Sequence, residues 1–159
     1  MGETANRVQV RLCEELRSRA AAYDWATEVT AASTPVDVAG SHDDTRVLVE
    51  LEWRRADPAD NTAKLFRHLH EGTVDAATVI VVQLFTGYYD LARGGVSSKR
   101  LNAEFVGGRA ADSDSRVRYE PVDLAIDPPK RGGDLPDDWE SAVAGVADAV
   151  CAAVTAARE

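Results

Sequence analysis

A stripe recurs at helical spacing from the start of the chain: Val8, Leu12 and Leu16, then Arg19 or Ala20, with Cys13 beside them, predict a helix over residues 5 to 22. The period then changes to two. Trp25, Thr27, Val29 and Ala31 alternate with Ala26, Glu28 and Thr30, which reads as a strand. Ser33-Thr34-Pro35 breaks it, and Val36 to Ala39 forms a second short strand. Gly40 to Thr45 is dense in turn formers. Arg46 to Trp53 is a third strand, with Val47, Val49, Leu51 and Trp53 on one face and Arg46, Leu48, Glu50 and Glu52 on the other. That second face begins apolar and ends in two acids, as expected where a strand runs out of a core into a cleft.

Asp60 or Asn61 is placed to cap a helix over about residues 61 to 71, with Leu65, Phe66 and Leu69 as its stripe and Gly72 as its stop. Residues 77 to 85 are an apolar run bounded by turn signals, the pattern of a strand buried on both faces. A flexible loop at residues 94 to 98 precedes a helix from Ser98 to Phe105, with Gly107-Gly108 expected to end it and residues 110 to 115 expected as loop. Residues 116 to 124 alternate around Pro121 and suggest an edge strand. A Pro-, Gly- and Asp-rich linker follows at residues 127 to 138. The last helix then runs from Asp138 to about Arg158 on a stripe of Val143, Val146, Ala147, Val150 and Val154. The order helix, three strands, helix, strand, helix, strand, helix predicts a single α/β or α+β domain over residues 1 to 159, with a mixed central sheet flanked by helices.

Composition alters this picture only at the level of setting. The formal net charge is −9, and the lysines are only Lys64, Lys99 and Lys130. Such acidity fits a halophilic, salt-rich cytoplasm, and a GC-rich codon bias would give the same Ala, Arg, Asp, Gly and Val excess. Net acidity counts against nucleic-acid binding unless a local basic strip exists. No continuous apolar run approaches a membrane span and the first residues lack a signal-peptide core, so a cytoplasmic location with no membrane contact is expected. Cys13 and Cys151 lie far apart in helical contexts, without close metal-ligand spacing, and read as thiols of a reducing compartment.

The candidate chemistry lies in residues 35 to 55. Glu50 and Glu52 share a strand face, and Asp37 joins them if the second and third strands pair. Mg²⁺, with Mn²⁺ as a substitute, prefers oxygen ligands and keeps several waters, so two or three carboxylates suffice. Asp37 and Glu50 are the natural ligand pair, the backbone carbonyl of Leu51 a third ligand, and Glu52 a ligand to a second ion or the group that orients an attacking water. A solvated strand face carrying two glutamates is the competing account.

Pro35-x-Asp37, twelve residues, then Glu50-Leu51-Glu52, on this order of elements, resembles the PD-(D/E)xK nuclease superfamily. More narrowly, Val49-Glu50-Leu51-Glu52-Trp53, continuing through Asp57-Pro58, Asp60 and the Leu65-Phe66 helix, is similar to type II restriction endonucleases of the Bgl and BstY kind. The resemblance implies a restriction-endonuclease-like fold and magnesium-dependent cleavage of DNA in a restriction or genome-defence setting, with Asp37, Glu50 and Glu52 as the catalytic acids. Cutting two strands would call for a homodimer. Glu52 stands where most members carry a lysine, and one extra residue separates the proline from the aspartate. The alternative is a catalytically inactive nuclease-fold module with a binding or regulatory role.

Arg54 and Arg55 after the acids, Lys64 and Arg67 on the next helix, and Ser98, Lys99 and Arg100 at a helix start, beside Ser97, form the candidate DNA-binding strip, with Tyr88 and Tyr89 available to pack on sugar or bases. Each also has an ordinary structural reading as a solvated or ion-paired residue. His68 and His70 diverge on one helix, and His42 is of interest because its turn is expected near the acids.

Overall fold

The computed structural model describes residues 2–31, 33–72 and 74–159. The elements are α1 (Glu3–Arg19), β1 (Asp24–Ala31), β2 (Thr34–His42), β3 (Thr45–Glu52), α2 (Pro58–His70), β4 (Thr78–Phe85), α3 (Ser98–Asp112), β5 (Val117–Asp123) and α4 (Trp139–Arg158), with a short 3-10 turn at Gly87–Tyr89. The strands lie in sequence order in one five-stranded sheet. β1, β2 and β3 pair antiparallel, and β3, β4 and β5 pair parallel. This is the expected mixed sheet flanked by helices, an α+β fold.

Each face of the sheet carries its own core. Val47, Val49 and Leu51 of β3 and Ile80, Val82 and Leu84 of β4 pack with α1 and α4. Leu48 of β3 and Val79 and Val81 of β4 pack with Leu65, Phe66 and Leu69 of α2. β4 is therefore apolar on both faces, because helices cover both. An 18-residue stretch of α4 has a mean hydropathy of 1.4, making this 20-residue helix apolar enough to cross a membrane by length and composition. Its Val143, Val146, Val150 and Val154 stripe lies in the core with α1.

Boundaries moved where side chains compete with pattern. α2 starts earlier than its apolar stripe suggests, because Asp57 accepts from the Asp60 N–H at 3.1 Å and Pro58 occupies the first turn. The polar stretch Gly40 to His42 is strand, and only Asp43-Asp44 turns, with Asp43 at φ 47°. Gly40 belongs there because the Trp25 ring covers it, 2.6 Å from where a Cβ would stand. α3 runs straight through Gly107-Gly108 to Asp112. Gly107 faces the Tyr119 ring, which occupies the space a Cβ would need, so this glycine lets α3 approach β5 and does not end the helix.

One irregularity positions the site. β1 and β2 keep a constant register on both sides of Glu28 and Asp37, with Thr27 opposite Val38 and Val29 opposite Val36. Yet Val38 packs on the α1/α4 side and Val36 on the α2 side, although two residues apart in a strand. Trp25 and Ala31 of β1 switch sides in the same way. Glu28 has φ 53°, and this left-handed step turns the ribbon over. The β2–β3 register stops at Val38 opposite Val49, so β2 leaves β3 at Asp37.

Candidate active site

Asp37, Glu50 and Glu52 come together where β2 parts from β3. The β2–β3 ladder ends before Leu51, whose N–H donates instead to Asp37 Oδ2 at 2.7 Å. The Leu51 N–H is thus committed to Asp37, a contact separate from the carbonyl expected as a third metal ligand. The Asp37 and Glu50 carboxyls lie close enough for each to act directly on the other. Two carboxyls meeting in this way must share a proton or gain a cation. Burial, then the charges of Asp37 and Glu52, push the Glu50 carboxyl well above its ordinary range. Burial also raises Asp37, against the pull of the Leu51 N–H and of Glu50.

Glu52 has a different environment. It is fully buried, and Oε1 accepts from Asn61 Nδ2 at 3.0 Å and from Gln83 Nε2 at 2.9 Å, while Oε2 accepts from Arg55 Nε at 3.0 Å. Behind Gln83, the Tyr119 hydroxyl donates to Gln83 Oε1 at 2.6 Å, and Gln83 Nε2 also reaches Thr62 Oγ1 at 2.8 Å. Thr62 in turn donates to the Pro58 carbonyl at 2.8 Å. The proton directions are fixed from end to end, so Gln83 must present its N–H groups to Glu52. Burial raises the Glu52 carboxyl, and the Gln83 and Asn61 donors oppose that rise.

The sequence reading missed Gln83, Asn61 and Tyr119. Gln83 carried a usable signal, as the lone amide in the otherwise apolar stretch Val79–Phe85. Asn61 reads from sequence as one of two possible helix caps, with Asp60, and Tyr119 only as one alternating position of an edge strand.

The cleft beside these acids has a volume of about 690 Å³ and is lined by Glu28, Asp37, Trp53, Arg54 and Arg55 among others. Arg55 contributes its guanidinium to Glu52, and its backbone N–H donates to the Tyr89 hydroxyl at 2.9 Å. Burial pushes the Tyr89 hydroxyl up to about 12. Arg54 donates to the carbonyls of Pro128 and Pro129 at 2.8 and 3.0 Å, tying down the segment after β5. Arg100 is buried, paired with Glu104 at 2.7 Å and with Asp123, and lies over the Phe85 ring. It is thus taken up inside the protein and does not face solvent as a phosphate ligand would. Lys64, Arg67, Ser98 and Lys99 are exposed; Arg67 pairs with Glu71 at 3.4 Å, and Lys99 lies 5.8 Å from the Tyr88 ring centre. Tyr88 is exposed, while Tyr89 is buried against Phe85. His42 faces Thr45 at the opposite end of β3 from Glu52, about 20 Å along the strand, so its turn is far from the acids. His68 lies 3.7 Å from Glu71, away from the three acids in the chain's local pairing.

The donors at the site are all hard oxygens, and the nearby Arg55, whose guanidinium is bonded to Glu52, leaves both carboxyls of the Asp37–Glu50 pair raised, which fits a divalent cation at those two residues. Glu52, with three donors already upon it, fits better as a fixed anion beside such an ion. Among the described residues, no group of three acidic, histidine or cysteine side chains stands assembled to hold a metal. Comparison with protein-family models, with curated proteins and with solved structures finds no match to this chain.

Proposed function

We propose that the protein is a magnesium-dependent endonuclease acting on DNA, of the PD-(D/E)xK kind and similar to Bgl/BstY-type restriction enzymes. The observation that carries this reading is the pairing of half-buried Asp37 with buried Glu50 at the point where β2 leaves β3, with Asp37 lining an open cleft. Asp37 and Glu50 would hold Mg²⁺ or Mn²⁺, which supplies charge for the phosphoryl oxygens and lowers the pKa of water. Glu52, held by Gln83, Asn61 and Arg55, would orient the attacking water from a fixed position. Lys64, Lys99 and Ser98 are the exposed groups available to phosphates, and Arg55 reaches the cleft wall next to the acids.

A second reading, a catalytically inactive nuclease-fold module, is favoured by one observation: both oxygens of Glu52 are already engaged. Cleavage of plasmid DNA with Mg²⁺ or Mn²⁺, from low to molar KCl, separates the two. The endonuclease reading expects cutting that requires the ion and disappears in Glu50→Ala. Folded wild-type protein that neither cuts nor gains thermal stability from either ion would transfer the assignment to the inactive module.

A further inference from the structure

β3, β4 and β5 run parallel and end level, with Glu52 opposite Phe85 and Phe85 opposite Asp123. The segments that leave them emerge along one edge of the sheet, the edge that holds the acids, and the carboxyl ends of parallel strands are the usual place for a ligand. After β5 the chain carries Lys130 and Arg131, two adjacent cations outside the strip expected from the sequence. Both are exposed, and among the described residues neither side chain makes an ion pair or a hydrogen bond. Asp127 and Asp134 flank them, but Asp127 is turned onto Gly87. The segment is anchored at both ends by buried Ile126 and Leu135. The Ile126 carbonyl accepts from the Gly87 N–H at 2.9 Å. Pro128 and Pro129 stiffen the backbone, and their carbonyls accept from Arg54, which lines the cleft with Asp37. The tip is a turn closed by the Gly133 N–H on the Lys130 carbonyl at 2.8 Å, with Gly132 at φ 81° where a left-handed residue is needed.

We infer that the Lys130–Arg131 turn is a phosphate-binding finger, held at the cleft by Arg54, which seats the nucleic-acid backbone flanking the Asp37–Glu50 pair. The inference rests on the nuclease reading and adds to it the cations that take the substrate. Arg54, expected from the sequence as a phosphate ligand, becomes a positioning residue, because its guanidinium is committed to the Pro128 and Pro129 carbonyls. The turn it holds then presents two cations with no partner in the protein. A phosphodiester chain accounts for acids and cations on one edge of the sheet. The phosphate at the acids meets a metal ion, and its neighbours along the strand are met directly by cations. An acidic peptide suits this edge less well, because Glu28, Asp37 and Glu50 beside the cleft would repel its carboxylates.

Phosphate contacts are independent of sequence, so any labelled duplex oligonucleotide reports on them. The test is fluorescence anisotropy of such a duplex with the full chain in Ca²⁺, from about 0.05 to 0.5 M KCl. Lys130→Ala with Arg131→Ala is expected to weaken binding about tenfold at about 0.1 M KCl and to make the slope of log Kd against log salt shallower by about 1–2. Arg54→Ala keeps both cations and releases their loop, so it weakens binding less and leaves the slope unchanged. Arg109→Ala with Arg118→Ala removes the same charge near the far ends of α3 and β5, and is expected to change Kd by no more than about twofold. In Mg²⁺, the finger variant lowers kcat/KM through KM, whereas Glu50→Ala abolishes cutting and keeps the salt slope. Thermal melts check that each variant is folded. A finger variant with wild-type Kd and slope overturns the inference, and intact Mg²⁺-dependent cutting in it leaves the nuclease reading standing. An equal loss in the Arg109, Arg118 variant also overturns it, since net charge alone then accounts for binding. Wild type that binds no DNA overturns both. Wild type that binds through the finger and never cuts supports the finger and gives the chemistry to the inactive module.

Discussion

Glu50 is held at a cost that depends on pH. Its carboxyl loses solvent and faces Asp37 and Glu52, so its pKa in the fold lies well above the ordinary 4.5. The sign follows from proton linkage: between the ordinary value and the raised one, the unfolded chain has lost a proton that the folded chain keeps, so stability falls as pH rises through that window. Above it the loss is constant, and below the ordinary value it vanishes. Glu50→Gln keeps the shape and offers Asp37 an amide donor without the charge. It is expected to raise stability at pH 8 by about 1–2 kcal/mol, or roughly 2–8 °C in Tm, with the gain fading toward pH 4. Thermal melts at several pH values measure this, and a gain as large at pH 4 as at pH 8 would refute the charge argument.

The elements were legible from the sequence to different degrees. The three strands around residues 25 to 53, the twice-buried β4 and the edge strand with Pro121 all announce themselves by period and composition; Glu50 and Glu52 follow from β3, and Asp37 from the expected pairing of β2 with β3. The inversion of the β1–β2 ribbon was not legible, because no alternation rule signals a glutamate at φ 53°, and Gly107-Gly108 misled because a glycine that admits a neighbouring ring reads the same as one that ends a helix. The amide chain behind Glu52 joins residues from α2, β4 and β5, which only the folded sheet brings together. Glu28 offers a test at this scale. Its left-handed backbone strains any residue with a Cβ, so Glu28→Gly is expected to stabilise the fold by about 0.5–1 kcal/mol while Glu28→Ala does not. Urea unfolding of the two variants decides it. Equal midpoints would mean that Glu28 acts through its carboxylate beside Asp37 and that its backbone is not under strain.

Across the whole molecule, salt acts on two kinds of charge. The net charge of −9 is spread over a surface with few lysines, and its self-repulsion is screened over about 10 Å at 0.1 M salt and about 3 Å at 1 M. Raising KCl from about 0.05 to 1 M is therefore expected to increase Tm. Glu50 is shielded from that effect, since its raised carboxyl results from burial and from the adjacent Asp37 and Glu52 charges, inside the range that salt does not reach. The stabilisation by Glu50→Gln at pH 8 should consequently persist in 1 M KCl, added to a higher Tm for both proteins. Under the proposed endonuclease reading, binding to DNA would move the opposite way, because every phosphate contact releases counterions and weakens as salt rises. An acidic chain that binds DNA thus has a working window bounded below by its own repulsion and above by loss of phosphate contacts. Melting curves of wild type and Glu50→Gln at both salt extremes separate the two charge classes. If the difference between them collapses at 1 M KCl, the carboxyl pair is open to solvent, and the buried site described at the β2–β3 parting is wrong.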